Sequence, residues 1–367
     1  MNKVIAKKMD NNFVEPIFYE NFSTIVFATD EKFIPYLYVA IQSLVDNAES
    51  KNNYDIVILY EDVCAYKRDL FLALESENIS IRFVNMGDYM REYKEFWYLH
   101  WDWSNAVYYR FFITRILKNY KKALYLDGDI ILNFDVAELY KIDLKENWIG
   151  AIVDISQQME GYMGESYREE VLKVKREEYF NAGVLIFNLE ELNKMDFTQA
   201  CISTLKELKK PIFQDQDVLN CICNQRVKYI DFSYNLLWNC INHFKDAEKR
   251  MKASIYSRYL EAWNSPKIIH FCGACKPWKQ PWLSYSEHFW KYARKTPFYE
   301  VLLFEHAGLD SARTVVKNVY EKRKIYFKYF SYKLLWNITC GRVKQKFYDK
   351  TKKLEKRIFD YRKTLNE

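Results

Sequence analysis

Glycine and long apolar runs are both scarce in this chain of 367 residues. Only 9 residues are glycine, and no low-complexity linker interrupts the sequence. No stretch reaches the roughly 18 uninterrupted apolar residues of a membrane-spanning helix. The first 20 residues are polar and mixed, without the basic, apolar and small-residue succession of a secretory signal. These observations predict a cytoplasmic protein.

Cysteine is present but does not form a recognisable metal or disulfide framework. Of eight cysteines, only Cys272 and Cys275 have zinc-knuckle spacing, and no second such pair follows. We therefore expect reduced thiols, as is usual in the cytosol.

The composition favours one large folded domain with an appendage. Half of the residues are apolar (49%), and Tyr (30) and Phe (25) are abundant, so a sizeable core can be buried. The net charge of +6 conceals an asymmetry. Residues 311–367 hold 17 Lys/Arg against 5 Asp/Glu, a net of +12, which leaves −6 on residues 1–310.

Strands and helices alternate along the first part of the chain. Apolar β-branched runs predict strands at 23–29, 55–60 and 79–84, and helical periodicity predicts helices at 36–45 and 69–77. This alternation indicates a parallel sheet in a doubly wound domain. Further predictions are strands at 122–131 (broken by Asp-Gly-Asp), 148–153, 183–188 and 267–271, and helices at 104–119, 196–209 and 217–223.

Polar residues follow several of these strands. Asp30, Asp127-Gly128-Asp129 and His270 all lie at or just after predicted strand ends. Ligands of open parallel sheets bind beyond the carboxyl ends of the strands. The sequence therefore points to one edge of the sheet as the site.

Asp127 and Asp129 are candidate ligands of a hard cation. Carboxylates at i and i+2 on a turn can converge on Mg²⁺ or Mn²⁺ together with phosphate oxygens. Such a cation would neutralise a nucleoside diphosphate leaving group. The alternative is an ordinary polar Asp-Gly turn.

Two other groups of residues each have a functional and a structural interpretation. His270 could add a nitrogen ligand, or could be a satisfied core histidine, and Lys276 could bind phosphate. The run Gln214-Asp215-Gln216-Asp217 could accept hydrogen bonds from sugar hydroxyls, or could simply begin a helix whose dipole favours acids.

Four ordered motifs together resemble glycosyltransferase family 8. They are YLDGDII (125–131), FNAGVLIFNL (180–189), FQDQDVLN (213–220) and HFCGACKPW (270–278). The resemblance runs from about Ser23 to Trp282 and is greatest to bacterial galactosyl- and glucosyltransferases that extend surface glycans. It implies an α/β fold of the glycosyltransferase-A type, a Rossmann-like mixed sheet flanked by helices, followed by a basic helical C-terminal extension. The expected boundaries are an N-terminal extension at 1–22, a catalytic domain at 23–299 and a basic aromatic tail at 300–367.

The resemblance also assigns roles to individual residues. The expected metal ligands, for Mn²⁺ or alternatively Mg²⁺, are Asp127, Asp129 and His270. The expected catalytic residues are Gln216, Asp215 and Lys276. The donor site is expected to comprise Ala28, Thr29, Asp30, Arg110, Asp127, Gly128, Asp129, Asp154, Asn181, Ala182, Asp215, Gln216, His270, Gly273 and Lys276.

The function that the resemblance implies is metal-dependent transfer of galactose or glucose from a UDP-hexose to a surface glycan or glycolipid. The anomeric configuration would be retained. The amide of Gln216 is a poor nucleophile, which favours front-face attack over double displacement. Two alternatives remain, a nucleotidyltransferase and a catalytically inactive glycan- or membrane-binding protein. The first should carry a Gly-rich basic loop after the first strand, where this chain has Ala28-Thr29-Asp30-Glu31.

The tail mixes basic and aromatic residues, as in the run at 322–330. This pattern predicts association with an anionic membrane surface, which would place the protein on the inner face of the cell membrane. A solvated helical extension or oligomerisation arm is the next interpretation. Nucleic-acid binding ranks last and is not expected.

Overall fold

The computed structural model describes residues 13–99, 104–238, 246–306, 328, 331–336 and 341–363. Two compact units divide the chain, residues 1–299 and 300–367. The tail segment at 322–330, apart from Lys328, lies outside the described residues. Among the described helices, none is both long and apolar enough to cross a membrane.

The first unit contains two sheets. Their strands are β1 Phe22–Thr29, β2 Asn53–Tyr60, β3 Ile79–Asn85, β4 Lys122–Leu126, β5 Ile130–Leu132, β6 Ile149–Val153, β7 Phe180–Asn188, β8 Val227–Tyr229, β9 Leu236–Leu237 and β10 Ile268–His270. The larger sheet has the order β3-β2-β1-β4-β7-β6-β8, and the smaller one the order β5-β10-β9.

Helices accompany these strands through the first unit. They are α1 Ile34–Asp46, α2 Ala65–Leu70, α3 Gly87–Glu92, α4 Ile113–Ile116, α5 Ala137–Tyr140, α6 Glu165–Tyr167, α7 Leu189–Leu192, α8 Phe197–Leu208, α9 Asp215–Cys223, α10 Ala247–Arg250, α11 Ala253–Asn264 and α12 Ser286–Ala293. Tyr299–His306 (α13) and Gly341–Lys363 (α14) are described near the C-terminus.

The larger sheet is mixed, as the family resemblance predicts. Strands β1 to β4 pair in parallel, which agrees with the alternation of strands and helices in the sequence. Strand β7 then runs antiparallel to both β4 and β6. Because the central strands are covered on both faces, β1 and β2 are buried along almost their whole length.

Three predicted elements differ from the structure. The helix predicted at 69–77 is instead α2 followed by a 3₁₀ turn over Phe71–Leu74, because Ser76 already pairs with Ile79 at the start of β3. The helix predicted at 104–119 is mostly a 3₁₀ segment, Asn105–Phe112, capped by Ser104. Five consecutive residues from 108 to 112 are buried there, so tertiary packing sets the local winding. Strand β7 begins three residues earlier than predicted, so that Asn181 and Ala182 lie within it.

The Asp-Gly-Asp turn connects the two sheets. It leaves β4 of the larger sheet and enters β5 of the smaller one, where Ile130 pairs with His270 of β10. The Asp127 N–H donates to the Gly183 carbonyl at 2.8 Å, and the Phe271 N–H donates to the Asp129 carbonyl at 2.9 Å. These backbone hydrogen bonds fix both carboxylates beside β7 and β10.

Candidate active site

Asp127, Asp129 and His270 form a cluster at the junction of the two sheets. One ligand atom from each lies within 4.8 Å of the others. His270 Nε2 is 3.3 Å from Asp129 Oδ1 and 3.8 Å from Asp127 Oδ2. Two carboxylates and one imidazole are a suitable donor set for a divalent cation such as Mn²⁺.

The orientation of His270 supports this assignment. Its Nδ1 lies 2.8 Å from Asn235 Oδ1, and the ring is buried. With the proton on Nδ1, the imidazole donates to Asn235 and presents a free lone pair on Nε2 to the two carboxylates. The residues present therefore fit a bound metal ion.

Lys276 contacts the carboxylate oxygen of Asp129 that does not face His270. Its Nζ is 2.5 Å from Asp129 Oδ2 and also donates to the Phe271 carbonyl at 2.7 Å. Burial alone raises the pKa of Asp129, but the Lys276 ammonium and His270 outweigh it, so the pKa lies well below its usual range. Asp129 is consequently a carboxylate at neutral pH, as a metal ligand must be.

Arg110 lies buried behind the cluster and joins two carboxylates. Its Nη2 donates to Asp127 Oδ1 at 2.9 Å, and its Nε lies 3.1 Å from Asp215 Oδ2. It also donates to the Ala182 carbonyl and stacks on the Tyr125 ring, 4.0 Å from the centroid. Burial raises the pKa of Asp215 to about 7, although Arg110 acts in the opposite direction.

The amide of Gln216 is held by hydrogen bonds on both ends. Its Oε1 accepts from the Ala182 N–H at 3.0 Å and from Asn181 Nδ2 at 3.1 Å. Its Nε2 donates to Asp154 Oδ2 at 3.1 Å and to the Tyr179 hydroxyl at 3.2 Å. The structure thus brings Asp154, Asn181 and Gln216 together beside the metal cluster.

The other residues predicted for the donor site are Ala28, Thr29, Asp30, Gly128 and Gly273. Ala28 and Thr29 end β1, and the Asp30 carboxylate accepts from the backbone N–H groups of Lys32 and Phe33. A side chain on Gly128 would meet the Phe33 ring at 3.1 Å. Gly273, with φ of 84°, allows the turn between His270 and Lys276.

Two residues around this site, Asn235 and Tyr179, have no role that the sequence predicts. Asn235 orients His270, and the Tyr179 hydroxyl accepts from Gln216 Nε2 and donates to Asp217. Nothing in the short segment around Asn235 distinguishes it from any other polar residue. Gly183 packs against His270 and Asp127, and it ends the Asn181-Ala182-Gly183 run, whose small residues predict either the close approach of a ligand or a turn.

Gly183 is glycine because no side chain fits there. A Cβ would lie 2.3 Å from His270 Cε1 and 2.8 Å from Asp127 Oδ2. We expect Gly183→Ala to displace His270 and to weaken Mn²⁺ binding by about 10- to 100-fold, as changes around a ligating histidine do. Overpacking should also destabilise the fold by about 1–3 kcal/mol. Electron paramagnetic resonance of added Mn²⁺ measures the affinity.

Gly87→Ala is the matched control for Gly183→Ala. Its added Cβ, at the beginning of α3, would lie 3.0 Å from Oδ1 of the exposed Asn85 and 3.9 Å from Glu61 Oε1, away from the metal cluster. Mn²⁺ affinity should remain that of the parent. Equal affinity in both alanine variants would mean that the packing of His270 against Gly183 does not set the metal site.

Known proteins with similar sequences include glycosyltransferases. The sequence profile of glycosyl transferase family 8 matches residues 24–281. The lipopolysaccharide glucosyltransferase WaaO of Escherichia coli K12 is 26% identical over 323 residues, covering 86% of this chain and 90% of that protein. A lipopolysaccharide 1,2-glucosyltransferase of the same organism is 24% identical over 227 residues, covering 61% of each.

A solved structure extends the comparison to the fold. The galactosyltransferase LgtC, in complex with donor and acceptor sugar analogues, is 26% identical with a TM-score of 0.59. The match covers 75% of this chain and 96% of LgtC. With a family profile that spans most of its length and contains all of the clustered polar residues described above, the chain belongs to glycosyl transferase family 8.

Proposed function

We propose that this chain transfers a hexose, galactose or glucose, from a UDP-sugar to a cell-surface glycan such as lipopolysaccharide or capsule. The transfer is metal dependent and forms an α-linkage. The observation that carries the proposal is the convergence of Asp127, Asp129 and His270 beside Lys276 and the Gln216 amide. The similarity to lipopolysaccharide glucosyltransferases of Escherichia coli supports the acceptor class.

The proposed mechanism assigns charge neutralisation to one side of the site. Asp127, Asp129 and His270 would hold Mn²⁺, or alternatively Mg²⁺, which supplies positive charge to the diphosphate as the glycosidic bond breaks. The Lys276 ammonium, paired with Asp129 in this structure, would bind the diphosphate oxygens. Ala28, Thr29 and Asp30 would hold the uracil and ribose.

The proposed chemistry at the sugar depends on the amide side chain of Gln216. Both of its oxygen lone pairs already accept hydrogen bonds from the protein. A neutral amide engaged in this way is a poor nucleophile, so a covalent glycosyl-enzyme is not expected. Instead, the acceptor hydroxyl would attack C1 from the face that UDP leaves. The C1–O bond to UDP breaks, the new C1–O bond forms, and a β-phosphate oxygen takes the hydroxyl proton.

Proton NMR of the transfer product tests the stereochemistry. We expect an α-anomeric signal for the new linkage when α-UDP-glucose or α-UDP-galactose is the donor. A β-linked product would contradict front-face attack at this site. Formation of a nucleotidylated product in place of a glycoside would favour the nucleotidyltransferase alternative.

We further propose that the tail contacts an anionic membrane surface. In the second unit, α14 carries exposed lysines on several turns, among them Lys344, Lys346, Lys352 and Lys353, while Thr351 and Leu354 are buried. Basic residues near acidic headgroups contribute about 1 kcal/mol each. This arrangement supports peripheral binding at the inner face of the cell membrane.

Replacing the four exposed lysines of α14 with glutamine should weaken sedimentation with anionic vesicles at least about tenfold. The difference between variant and parent should be smaller at high salt, because salt screens the attraction to the headgroups. UDP-sugar hydrolysis should be unchanged. Glutamine at four exposed lysines of the first unit, Lys94, Lys121, Lys141 and Lys209, is the control for total charge. Equal sedimentation of both quadruple variants would show that α14 has no special role.

A further inference from the structure

The amide of Gln216 has a single permitted orientation. Its oxygen faces two donors, the Ala182 N–H and Asn181 Nδ2, and its nitrogen faces Asp154 Oδ2 and the Tyr179 hydroxyl. A flipped amide would set N–H groups against N–H groups and oxygen against a carboxylate. The direction of the amide dipole is therefore fixed by its surroundings.

Tyr179 is the least obvious of these four partners, because a hydroxyl can either donate or accept. It is buried, and it donates to Asp217 Oδ1 at 2.6 Å. The other oxygen of Asp217 accepts from the Phe213 N–H at 2.7 Å. An ionised carboxylate only accepts, so the hydroxyl proton points to Asp217 and the tyrosine oxygen is left to accept from Gln216. Asp217 thus sets the direction of the Tyr179 hydroxyl, and Tyr179 then accepts from the Gln216 nitrogen as the other three partners require.

Asp217 is suited to that role at neutral pH. Burial raises the pKa of its carboxyl to about 6, with the Tyr179 hydroxyl and nearby backbone N–H groups acting in the opposite direction. The carboxylate therefore predominates above that value.

We propose that Tyr179 and Asp217 are positioning residues that hold the Gln216 amide in the orientation required for sugar transfer. The inference rests on the proposed function, in which Gln216 lies beside the anomeric carbon. An amide that lacks one of its four partners is held less firmly, and a small displacement of its dipole weakens electrostatic stabilisation of the oxocarbenium-like transition state. Neither Tyr179 nor Asp217 needs to touch the sugar for this effect.

A purely structural role is the competing explanation, and the same chain offers a matched comparison. Tyr54, buried in β2, donates to Asp135 Oδ1 at 2.7 Å. This pair has the same chemistry and burial as Tyr179 and Asp217, but neither residue contacts the site. Loss of either tyrosine hydroxyl should reduce stability, whereas only loss of the Tyr179 hydroxyl should change the chemistry.

The experiment compares Tyr179→Phe, Asp217→Asn and Tyr54→Phe in the full chain with Mn²⁺. Calorimetric titration with UDP counts the competent sites, and UDP release from saturating UDP-glucose and UDP-galactose gives turnover per site. We expect turnover per site to fall about tenfold or more in Tyr179→Phe and Asp217→Asn, since small misplacements of positioned groups are costly. The Kd for UDP should stay within about twofold, and Tyr54→Phe should match the parent in both quantities.

A double variant separates positioning from an independent effect. If Tyr179 acts through Gln216, adding Tyr179→Phe to Gln216→Ala should cause no further fall in turnover. Parent-like turnover per site in Tyr179→Phe, or a full additional loss in the double variant, would overturn the inference while leaving the proposed function intact. A parent protein that binds UDP but releases none from UDP-sugars would instead overturn the proposed function, and this inference with it.

Discussion

Asp129→Asn is expected to lower metal-dependent UDP release about 1,000-fold. The substitution keeps the side-chain volume but removes the negative charge that lies between His270 and Lys276. Charge stabilisation by a bound metal is worth several kcal/mol, and about 4 kcal/mol corresponds to three orders of magnitude in rate. Turnover should be measured across a Mn²⁺ titration, with the folded fraction determined by circular dichroism.

Asp135→Asn is the control for a buried carboxylate outside the cluster. Asp135 accepts hydrogen bonds from Tyr54 and Asn52 and has no contact with the metal ligands. This variant should lose stability but retain its turnover per folded molecule. Asp129→Asn with parent turnover at any Mn²⁺ concentration would exclude Asp129 as a metal ligand.

Arg110→Met is expected to destabilise the metal-free protein by about 3–5 kcal/mol, because it leaves two carboxylates without their buried counter-ion. Arg110 bridges Asp127 and Asp215 and is itself almost fully buried. Arg115→Met is the control. Arg115 is partly exposed and pairs with Asp196 at 3.3 Å, so its loss should cost about 0–1 kcal/mol. Urea denaturation of the two variants and the parent measures both changes in the free energy of unfolding.

The loss of stability caused by Arg110→Met should also depend on pH. Asp215 has a folded-state pKa raised to about 7 from an ordinary value of 3.8. Its contribution to stability is therefore full below about pH 4 and is lost as the pH rises through 7. Removing Arg110 takes away the charge that lowers this pKa, so the ionised form becomes more costly. The difference between variant and parent should be larger at pH 8 than at pH 6. A loss of stability that is small and independent of pH would show that Arg110 does not offset the negative charges of Asp127 and Asp215.

Much of the site could be predicted because its motifs lie at the ends of recognisable strands. The apolar run before Asp127 and the strand before His270 are visible in the sequence, and parallel β1 and β4 place their carboxyl ends at one edge. The antiparallel direction of β7 could not be derived from alternation. It depends on long-range pairing with β4 and β6, and only the family resemblance implied a mixed sheet.

The residues that position His270 and Gln216 could not be predicted from the sequence, for a physical reason. Asn235 and Tyr179 act through hydrogen bonds to residues 35 to 38 positions away in the chain. Polar residues of these types are common on surfaces, and only burial next to the site gives them a role. The sequence predicts an α-helix where Asn105–Phe112 forms a 3₁₀ segment, because its local geometry depends on tertiary packing and not on the periodicity of apolar residues.

UDP release from UDP-glucose and UDP-galactose, measured with Mn²⁺ and again after chelation, tests the central claim most directly. We expect slow hydrolysis of at least one of these donors in the presence of Mn²⁺, faster release when an acceptor glycan is added, and no release after chelation. Binding of UDP without release from any UDP-hexose, or release that survives chelation, would contradict a metal-dependent hexosyltransferase built on Asp127, Asp129 and His270.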